Sequence, residues 1–197
     1  MEISYRNGRK EDCTVLAKFI NIASGGVIEY LFHDLIPDMK PFQMVAHNLS
    51  AEDSYYSFRN AIVAKCNQNL VGVSLSYPSH FHRITEEMKN FLPGDRLEHF
   101  RSFYASRVED SLLLDALCVD ERFRGKGIGT QLINLTKKKA KIEGFNALSL
   151  SVFADNTDAQ RLYARCGFKT IEAVDLKAHE LIPHEGGCLL MKCENEL

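Results

Sequence analysis

The strongest constraint on the fold is an apolar run of strand length that a glycine-rich segment joins directly to an amphipathic stretch. Residues 112–119 read LLLDALCV, and residues 122–132 read RFRGKGIGTQL. A nearly unbroken apolar run is typical of a strand that is buried on both faces. Apolar residues then recur at roughly helical spacing as far as Ile142, so the pattern predicts a buried strand followed at once by a helix.

The same alternation continues towards the end of the chain. Gly144 ends the predicted helix, a strand (147–153) and a short helix (157–166) follow, and two more strands (168–174 and 187–193) complete the pattern. Strands and helices in alternation imply at least one parallel β-α-β unit in this half of the molecule.

The first half of the chain gives weaker patterns of both kinds. Polar and aromatic residues at mostly helical spacing fill 78–110, which is predicted to be a helical insertion between a hairpin and the apolar run. Upstream we predict a strand at 2–6, helices at 11–23 and 25–37 with Pro37 as the stop, a helical turn or two within 52–59, and the hairpin strands at 61–66 and 70–77.

Length and charge limit the classes of function. The chain has 197 residues, enough for one domain (1–197) with a substantial core, and its formal net charge is −2. That charge predicts no general attraction to nucleic acid or to a membrane surface. No uncharged stretch reaches the length of a membrane span, and the first twelve residues lack the apolar core of a signal peptide, so we expect a cytoplasmic protein.

The six cysteines and seven histidines predict no metal site. No Cys-x-x-Cys pair occurs, and no His/Cys cluster has the spacing of zinc ligands. His80 and His82 lie two residues apart without a neighbouring carboxylate or cysteine, so we interpret them as loop residues. The cysteines are expected to be reduced and mainly structural.

The glycine loop, residues 124–130, has the composition of an anion-binding site. Gly125, Gly127 and Gly129 occupy every second position, and Arg124 and Lys126 add positive charge at the start of the predicted helix. The first amides of a helix lack intrahelical partners and lie at the positive end of the helix dipole. Glycines let such amides turn towards a phosphate without hindrance from a side chain. We predict a bound pyrophosphate; the alternative is a turn that merely connects strand to helix.

The two common nucleotide motifs do not fit this loop. A P-loop requires Gly-Lys followed by Ser or Thr, whereas Gly127 follows the lysine here. A dinucleotide-binding fingerprint requires a third glycine at the position that Thr130 occupies. The loop therefore indicates a pyrophosphate carried by another kind of ligand.

Residues 112–170 resemble the GNAT superfamily of N-acetyltransferases in two blocks. The first block contains that family's acetyl-CoA signature, Arg-x-x-Gly-x-Gly, together with the end of the strand before it. The second begins near an asparagine and ends in Leu-Tyr-x-x-x-Gly-Phe. The matching residues are Leu117, Val119, Arg124, Gly125, Gly127 and Gly129 in the first block, and Asn156, Ala159, Leu162, Tyr163, Gly167 and Phe168 in the second.

The resemblance implies an α/β (mixed α+β), GNAT-like fold. Its central mixed sheet is mostly antiparallel, with a splayed parallel strand pair and helices on both faces. Strands 112–119 and 146–153 would splay, and acetyl-CoA would lie between them as the co-substrate, with no metal. The coenzyme-binding residues that the resemblance implies are Leu117, Cys118, Val119, Arg124, Gly125, Lys126, Gly127, Ile128, Gly129, Thr130 and Asn156.

Tyr163 is the candidate general acid. The family has a tyrosine at this position, close to the sulfur, so the resemblance implies that its hydroxyl protonates the departing thiolate. The pattern alone favours a different role, because Ala159, Leu162 and Cys166 share a helix face with Tyr163 and an aromatic ring there fills a core.

Asp115 is the candidate general base, because a carboxylate inside an apolar strand is costly to bury without a partner. Desolvation would raise its pKa into a range useful for accepting a proton. The alternative is a structural acid that pairs with a lysine or arginine or bonds to a loop. A chain of water molecules could also serve as the base, and Glu29, Glu98 and Tyr104 are weaker candidates.

The expected function is transfer of an acetyl group from acetyl-CoA to the primary amine of a small molecule. Two alternatives stay open: an acetyltransferase acting on a protein N-terminus or lysine, and a non-catalytic sensor of acyl-CoA. The expected partners are acetyl-CoA and an amine acceptor. For segment 78–110 the aromatic residues leave three roles open: a cap over a compact, partly apolar substrate, a plain helical insertion, or a homodimer contact.

Overall fold

The computed structural model describes residues 2–194 and contains a seven-stranded sheet. The strands lie in the order β1-β2-β3-β4-β5-β7-β6, and all neighbours are antiparallel except β4 and β5, which are parallel. Their bounds are β1 Ile3–Asn7, β2 Ala61–Cys66, β3 Asn69–Pro78, β4 Ser111–Val119, β5 Ala147–Phe153, β6 Lys169–Val174 and β7 Cys188–Glu194.

Helices cover both faces of the sheet. On one face, Leu16 and Ile20 pack against Val63, Leu75 and Ala116 of the sheet. On the other face, the helix Ile128–Ile142 buries an apolar stripe against the strands in the middle of the sheet. The helix bounds are α1 Cys13–Ala23, α2 Val27–Phe32, α3 Pro41–Leu49, α4 Glu86–Phe91, α5 Gly94–His99, α6 Arg101–Ala105, α7 Ile128–Ile142 and α8 Thr157–Arg165.

The parallel pair opens after its first three residues. Ser111–Leu113 of β4 pair with Ala147–Ser149 of β5, and no further pairing joins the two strands. Beyond that point β4 stays paired with β3 as far as Val119, and β5 stays paired with β7 as far as Phe153. The predicted fold class is confirmed: a mixed, mostly antiparallel sheet with a splayed parallel pair and helices on both faces.

A bulge in β4 lies where the splay begins. Leu75 of β3 faces Ala116 and the next residue, Ser76, faces Leu114, so Asp115 is left over without a partner in the register. A bulge of this kind bends its strand and increases the local twist. β4 therefore turns away from β5 at Asp115, and the strand is buried on both faces only before the bulge. The expectation of burial along the whole strand was wrong for its second half, which faces the opening.

The first half differs from the sequence prediction at three helices. α2 ends at Phe32 and not at Pro37, and α3 (Pro41–Leu49) was not predicted although Pro41 is a favourable first helical residue. Residues 52–59 contribute only a 3-10 turn at Phe58–Asn60. Segment 78–110 is mostly helical, as its pattern predicted, and contains α4, α5 and α6.

Hydrogen bonds join the insertion to the end of α2 and to β6. Arg96 of α5 donates hydrogen bonds to the carbonyl oxygens of Leu31 (3.1 Å) and His33 (2.8 Å), which cap the end of α2. Ser106 donates to Glu172 of β6 at 2.8 Å. Within residues 2–194, no helix combines the length and the apolar character needed to cross a bilayer.

Candidate active site

A cleft of about 1800 Å³ follows the splay between β4 and β5. One end is the glycine loop, and the other lies beneath segment 78–110 and the helices α1, α2 and α3. The separated strands form its walls, and α8 contributes Leu162 and Tyr163 to one side. A ligand in this cleft would touch both blocks of sequence that the resemblance singled out.

The glycine loop presents open, left-handed backbone to the cleft. Gly125 has a φ of 73° and Gly127 a φ of 78°, and a side-chain carbon added at either glycine would meet no atom within 4 Å. Gly127 is the residue that caps the start of α7. Residues with a side chain rarely adopt this backbone region, so glycine permits the turn that leaves the first amides of α7 unobstructed.

Gly129 has a different role from the other two glycines. It lies in the first turn of α7, and an added side-chain carbon would stand 3.4 Å from Leu162 Cδ2 and 3.8 Å from Val119 Cγ2. These are ordinary van der Waals distances, so Gly129 packs against α8 and the end of β4 where the other two glycines face open space.

The cations of the loop are held in place by neighbouring groups. Arg124 donates from Nε to the carbonyl oxygen of Val119 at 3.1 Å. Lys126 lies over the ring of Phe123, with Nζ 5.1 Å from the ring centroid. Arg122, by contrast, forms an ion pair with Asp120 at 2.7 Å and holds the pKa of that carboxyl down at about 2.

Tyr163 lies both in the core and at the wall of the cleft. Its ring is buried against Phe168, with ring centroids 5.8 Å apart, so it fills the core between α8 and the sheet. It also lines the cleft, and its hydroxyl forms no hydrogen bond within residues 2–194. Burial raises the pKa of this hydroxyl, with smaller contributions from Cys166 and Cys118, so Tyr163 stays protonated at neutral pH.

Asp115 projects from the bulge into the cleft. Tyr77 donates its hydroxyl proton to Oδ1 of Asp115 at 2.6 Å, and no cation pairs with this carboxylate within residues 2–194. Solvent reaches Asp115 through the cleft, but the surrounding protein still desolvates it. Desolvation raises the pKa of Asp115 to about 6, and the hydrogen bond from Tyr77 partly opposes the rise.

Aromatic side chains surround Asp115. The sequence assigned no role to Tyr55, Tyr56 and Tyr77, whereas Tyr104 was a weaker candidate for the base and the aromatic residues of 78–110 were one option for a cap. Tyr55 packs edge-on against Tyr77 (5.1 Å between ring centroids) and stacks on Phe81 (4.5 Å). Tyr56 and Tyr104 complete the group, because the charge of Asp115 acts on both hydroxyls. The only signal in the sequence was the aromatic content of 54–56 and of the insertion.

A second polar group lies at the β5 side of the cleft. His184, in the loop between β6 and β7, bonds through Nδ1 to Asp155 at 2.8 Å and stacks on Phe153 at 3.9 Å. A side-chain carbon at Gly25 would stand 2.5 Å from the Phe153 ring. The α1–α2 turn therefore packs directly on this pair and closes that side of the cleft.

The weaker candidates for the base separate clearly. Glu29 accepts a hydrogen bond from Asn21 at 3.3 Å, and Glu98 pairs with Arg101 on the exposed side of the insertion; neither lines the cleft. Tyr104 does line the cleft. Its raised pKa leaves the phenol protonated, which suits it poorly to accepting a proton. In the described part of the chain, no cluster of three or more His, Cys, Asp or Glu side chains could hold a metal ion.

Comparison with known proteins shows which family this cleft belongs to. Residues 29–168 match the acetyltransferase (GNAT) family. The chain belongs to that family. The match includes the glycine loop, the bulged strand β4 and Tyr163, and it covers the whole of segment 78–110.

Relatives and solved structures agree with this family. The spermine/spermidine N(1)-acetyltransferase of Bacillus subtilis (strain 168) is 33% identical over 73 residues, which cover 36% of this chain and 48% of that protein. A polyamine N-acetyltransferase of Drosophila melanogaster that forms N-acetylagmatine has a TM-score of 0.69 at 18% identity, covering 98% of this chain and 100% of that one. The PaiA N-acetyltransferase of Thermoplasma acidophilum in complex with coenzyme A has a TM-score of 0.58 at 15% identity and covers 98% and 99%. The alignment thus spans less than half the length of the curated relative.

The GNAT cleft has features that fit a coenzyme. Past Leu113, the edge of β4 that faces β5 has no strand partner, which leaves backbone hydrogen-bonding groups for a ligand. Of the residues predicted to bind the coenzyme, Lys126 alone stands outside the cleft lining within residues 2–194, with its side chain over Phe123. Asn156 lines the cleft but also caps α8, accepting a hydrogen bond from the Ala159 amide at 3.2 Å.

Proposed function

We propose that this chain is an acetyl-CoA-dependent N-acetyltransferase that acts on the primary amine of a small molecule. The observation that carries the proposal is one continuous cleft joining the glycine loop to Tyr163 and Asp115. A protonated phenol and a carboxyl with a pKa of about 6 are the acid and the base that acetyl transfer to an amine requires.

The glycine loop and the edge of β4 would hold the coenzyme. The α7 amides beyond Gly127 and the guanidinium of Arg124 would bind the pyrophosphate. Backbone groups of Leu117, Cys118 and Val119 would bind the pantetheine amides; the Val119 carbonyl oxygen keeps one lone pair after bonding to Arg124. Bound acetyl-CoA supplies an acetyl group activated as a thioester.

Two side chains would move the protons. An ammonium cannot attack a carbonyl carbon, so Asp115 would accept the proton of the amine, directly or through water, at the oxygen that Tyr77 leaves free. Tyr163 would give its hydroxyl proton to the sulfur that leaves the acetyl group, and its phenolate would then take the second proton that the nitrogen loses as the amide forms. Holding the two reactants in one cleft adds a large proximity effect to this proton transfer.

The acceptor end of the cleft supports a small molecule in preference to a protein. Arg96 and Ser106 fix the insertion in place. Its residues Phe81, Phe103 and Tyr104 line this end of the cleft as a cap. The names of two matched proteins, the spermine/spermidine and the polyamine N-acetyltransferases, refer to small amines. We further propose a cytoplasmic location, because all six cysteines are free thiols, as in a reducing compartment.

Thiol release from acetyl-CoA, measured against a panel of amines with mass-spectrometric detection of the product, tests the proposal. An acetyltransferase of small amines releases CoA in proportion to acetylated amine. Binding of acetyl-CoA without turnover of any amine or peptide would identify a sensor. Acetylation of peptide N-termini or lysines alone would identify a protein acetyltransferase.

A further inference from the structure

We infer that the acceptor is a monoamine with an aromatic or alkyl body, an arylalkylamine or a compact alkylamine, and not a polyamine. This inference rests on the proposed function and narrows it. The carrying observation is the composition of the acceptor chamber, which we define as Asp115 and the six aromatic residues Tyr55, Tyr56, Tyr77, Phe81, Phe103 and Tyr104.

The aromatic residues of the chamber form two groups of contacting rings. Tyr77 contacts both Tyr55 (5.1 Å between ring centroids) and Tyr56 (6.2 Å), and Tyr55 stacks on Phe81. On the insertion, Phe103 and Tyr104 meet at 5.4 Å. Such rings offer a large apolar area and ring faces that suit stacking with another aromatic group.

Asp115 is the one group of the chamber that carries charge at neutral pH. His82, which lies against Phe103 and Tyr104, stays neutral because burial lowers its pKa to about 4. Burial raises the pKa of Tyr56, Tyr77 and Tyr104, and the charge of Asp115 raises each further, so these phenols stay neutral. Asp115 is then the single carboxylate for an ammonium to meet. One ammonium matches one carboxylate, whereas a second ammonium on the same chain would be desolvated without a partner.

The rim of the chamber does not supply a second anionic site. Glu87 lines the cleft, but so does Arg83, and both are exposed. Each acts on Tyr55, with opposite effects on the pKa of that phenol. A distal ammonium would therefore meet attraction and repulsion of similar size in water, where both are weak.

Exposed apolar side chains line the cleft. Four of the seven large apolar side chains exposed within residues 2–194 line this cleft, and the other three lie elsewhere. The four are Ile22 (61% exposed), Ile36 (36%), Met39 (40%) and Phe91 (49%). Exposed apolar residues that line one cleft favour a ligand with an apolar body.

The first test compares kcat/KM for 2-phenylethylamine and hexylamine with that for spermidine and agmatine, at saturating acetyl-CoA. We expect at least one of the two monoamines to exceed both polycations by about 10-fold or more, the scale of one unpaired buried charge or lost apolar contact. Spermidine or agmatine used as well as the monoamines would overturn the inference and leave the proposed function intact. Failure of all four amines, with acetyl-CoA still bound, would overturn both.

The second test changes the charge of the rim alone. Arg83→Glu places two carboxylates at the rim, and we expect it to raise kcat/KM for spermidine about 3- to 10-fold with that for 2-phenylethylamine unchanged, since exposed charge pairs are weak. Lys138→Glu makes the same change of charge at an exposed site of α7 outside the cleft and controls for long-range attraction. No effect of Arg83→Glu, or an equal effect of both variants, would contradict the inference that a second ammonium lacks an anionic partner in this cleft.

Discussion

At the scale of single residues, the structure gives Asp115 an environment that its place in the sequence did not reveal. The sequence placed it inside an apolar strand and left open whether it was a paired structural acid or a base. The structure removes it from the strand register, gives it one neutral partner, Tyr77, and raises its pKa to about 6. A carboxyl in that range is ionised at neutral pH and can still accept a proton.

We predict that Tyr77→Phe moves the acidic limb of kcat/KM to higher pH. The Tyr77 hydroxyl stabilises the ionised form of Asp115, so its loss lets desolvation raise the pKa of the carboxyl further. A hydrogen bond to a charged group corresponds to a move of about one pH unit. Tyr30→Phe, which removes a hydroxyl from a residue that does not line the cleft, is the control. A limb that stays in place in Tyr77→Phe would show that the limb belongs to another group.

We predict that Asp115→Asn melts at a higher temperature than wild type at pH 7.5. Because the folded pKa of about 6 lies above the ordinary 3.8, the folded state binds more protons between these values. The stability contributed by the protonated carboxyl is then complete below about pH 4 and lost as pH rises through 6. The amide cannot ionise, so the two proteins should differ little at pH 4 and most at pH 7.5. A lower melting temperature for Asp115→Asn near neutral pH would instead identify a stabilising structural carboxylate.

We predict that Tyr163→Phe keeps the fold and the affinity for acetyl-CoA but lowers kcat about 100-fold, the scale of general acid catalysis. The change removes a hydroxyl that has no partner within residues 2–194 and leaves the buried ring in place. Rates with a saturating amine, and calorimetric titration with acetyl-CoA, measure the two effects separately. An unchanged kcat would reduce Tyr163 to its packing role.

At the scale of elements, the sequence predicted well where one local pattern controls the structure. The apolar run, the glycine loop and the helix after it appear as β4 and α7 at nearly the predicted bounds, because strand burial, turn and helix periodicity agree over neighbouring residues. α3 was missed, since its short apolar pattern between two polar segments gave little helical signal. The three glycines looked equivalent, yet Gly129 lies against Leu162 and Val119 whereas Gly125 and Gly127 face open space, a difference that spacing alone could not show.

We predict that Gly127→Ala weakens acetyl-CoA binding about 10-fold or more, because its methyl group would enter the open space beside the first amides of α7. Gly144→Ala is a matched control at the other end of α7: its φ is 83°, and a side-chain carbon there also meets no atom within 4 Å. Both variants should lose about 1 kcal/mol of stability from backbone strain. Equal dissociation constants for the two folded variants would remove the pyrophosphate from this loop.

At the scale of the whole molecule, the acceptor chamber depends on contacts between distant parts of the chain. Tyr55, Tyr77, Tyr104 and Asp115 come from a loop, two strands and the insertion, and no short motif connects them. The sequence therefore predicted a coenzyme half of the site from residues that lie in two compact blocks, but it assigned only part of the acceptor half. The splay that joins the halves begins at a bulge in β4. The resemblance implied the splay, but nothing in the sequence predicted the bulge.

Amide hydrogen exchange with and without acetyl-CoA tests the central claim most directly, namely that the coenzyme lies in the splay between β4 and β5. The account predicts slower exchange on binding in peptides that cover 114–119 and 150–153, where β4 and β5 no longer pair with each other. It predicts the same for the glycine loop, 124–130. Peptides from β1 and β2, on the far side of the sheet, should exchange at the same rate in both states. Saturated binding that leaves the first three segments unprotected, or that protects only other segments, would contradict the account.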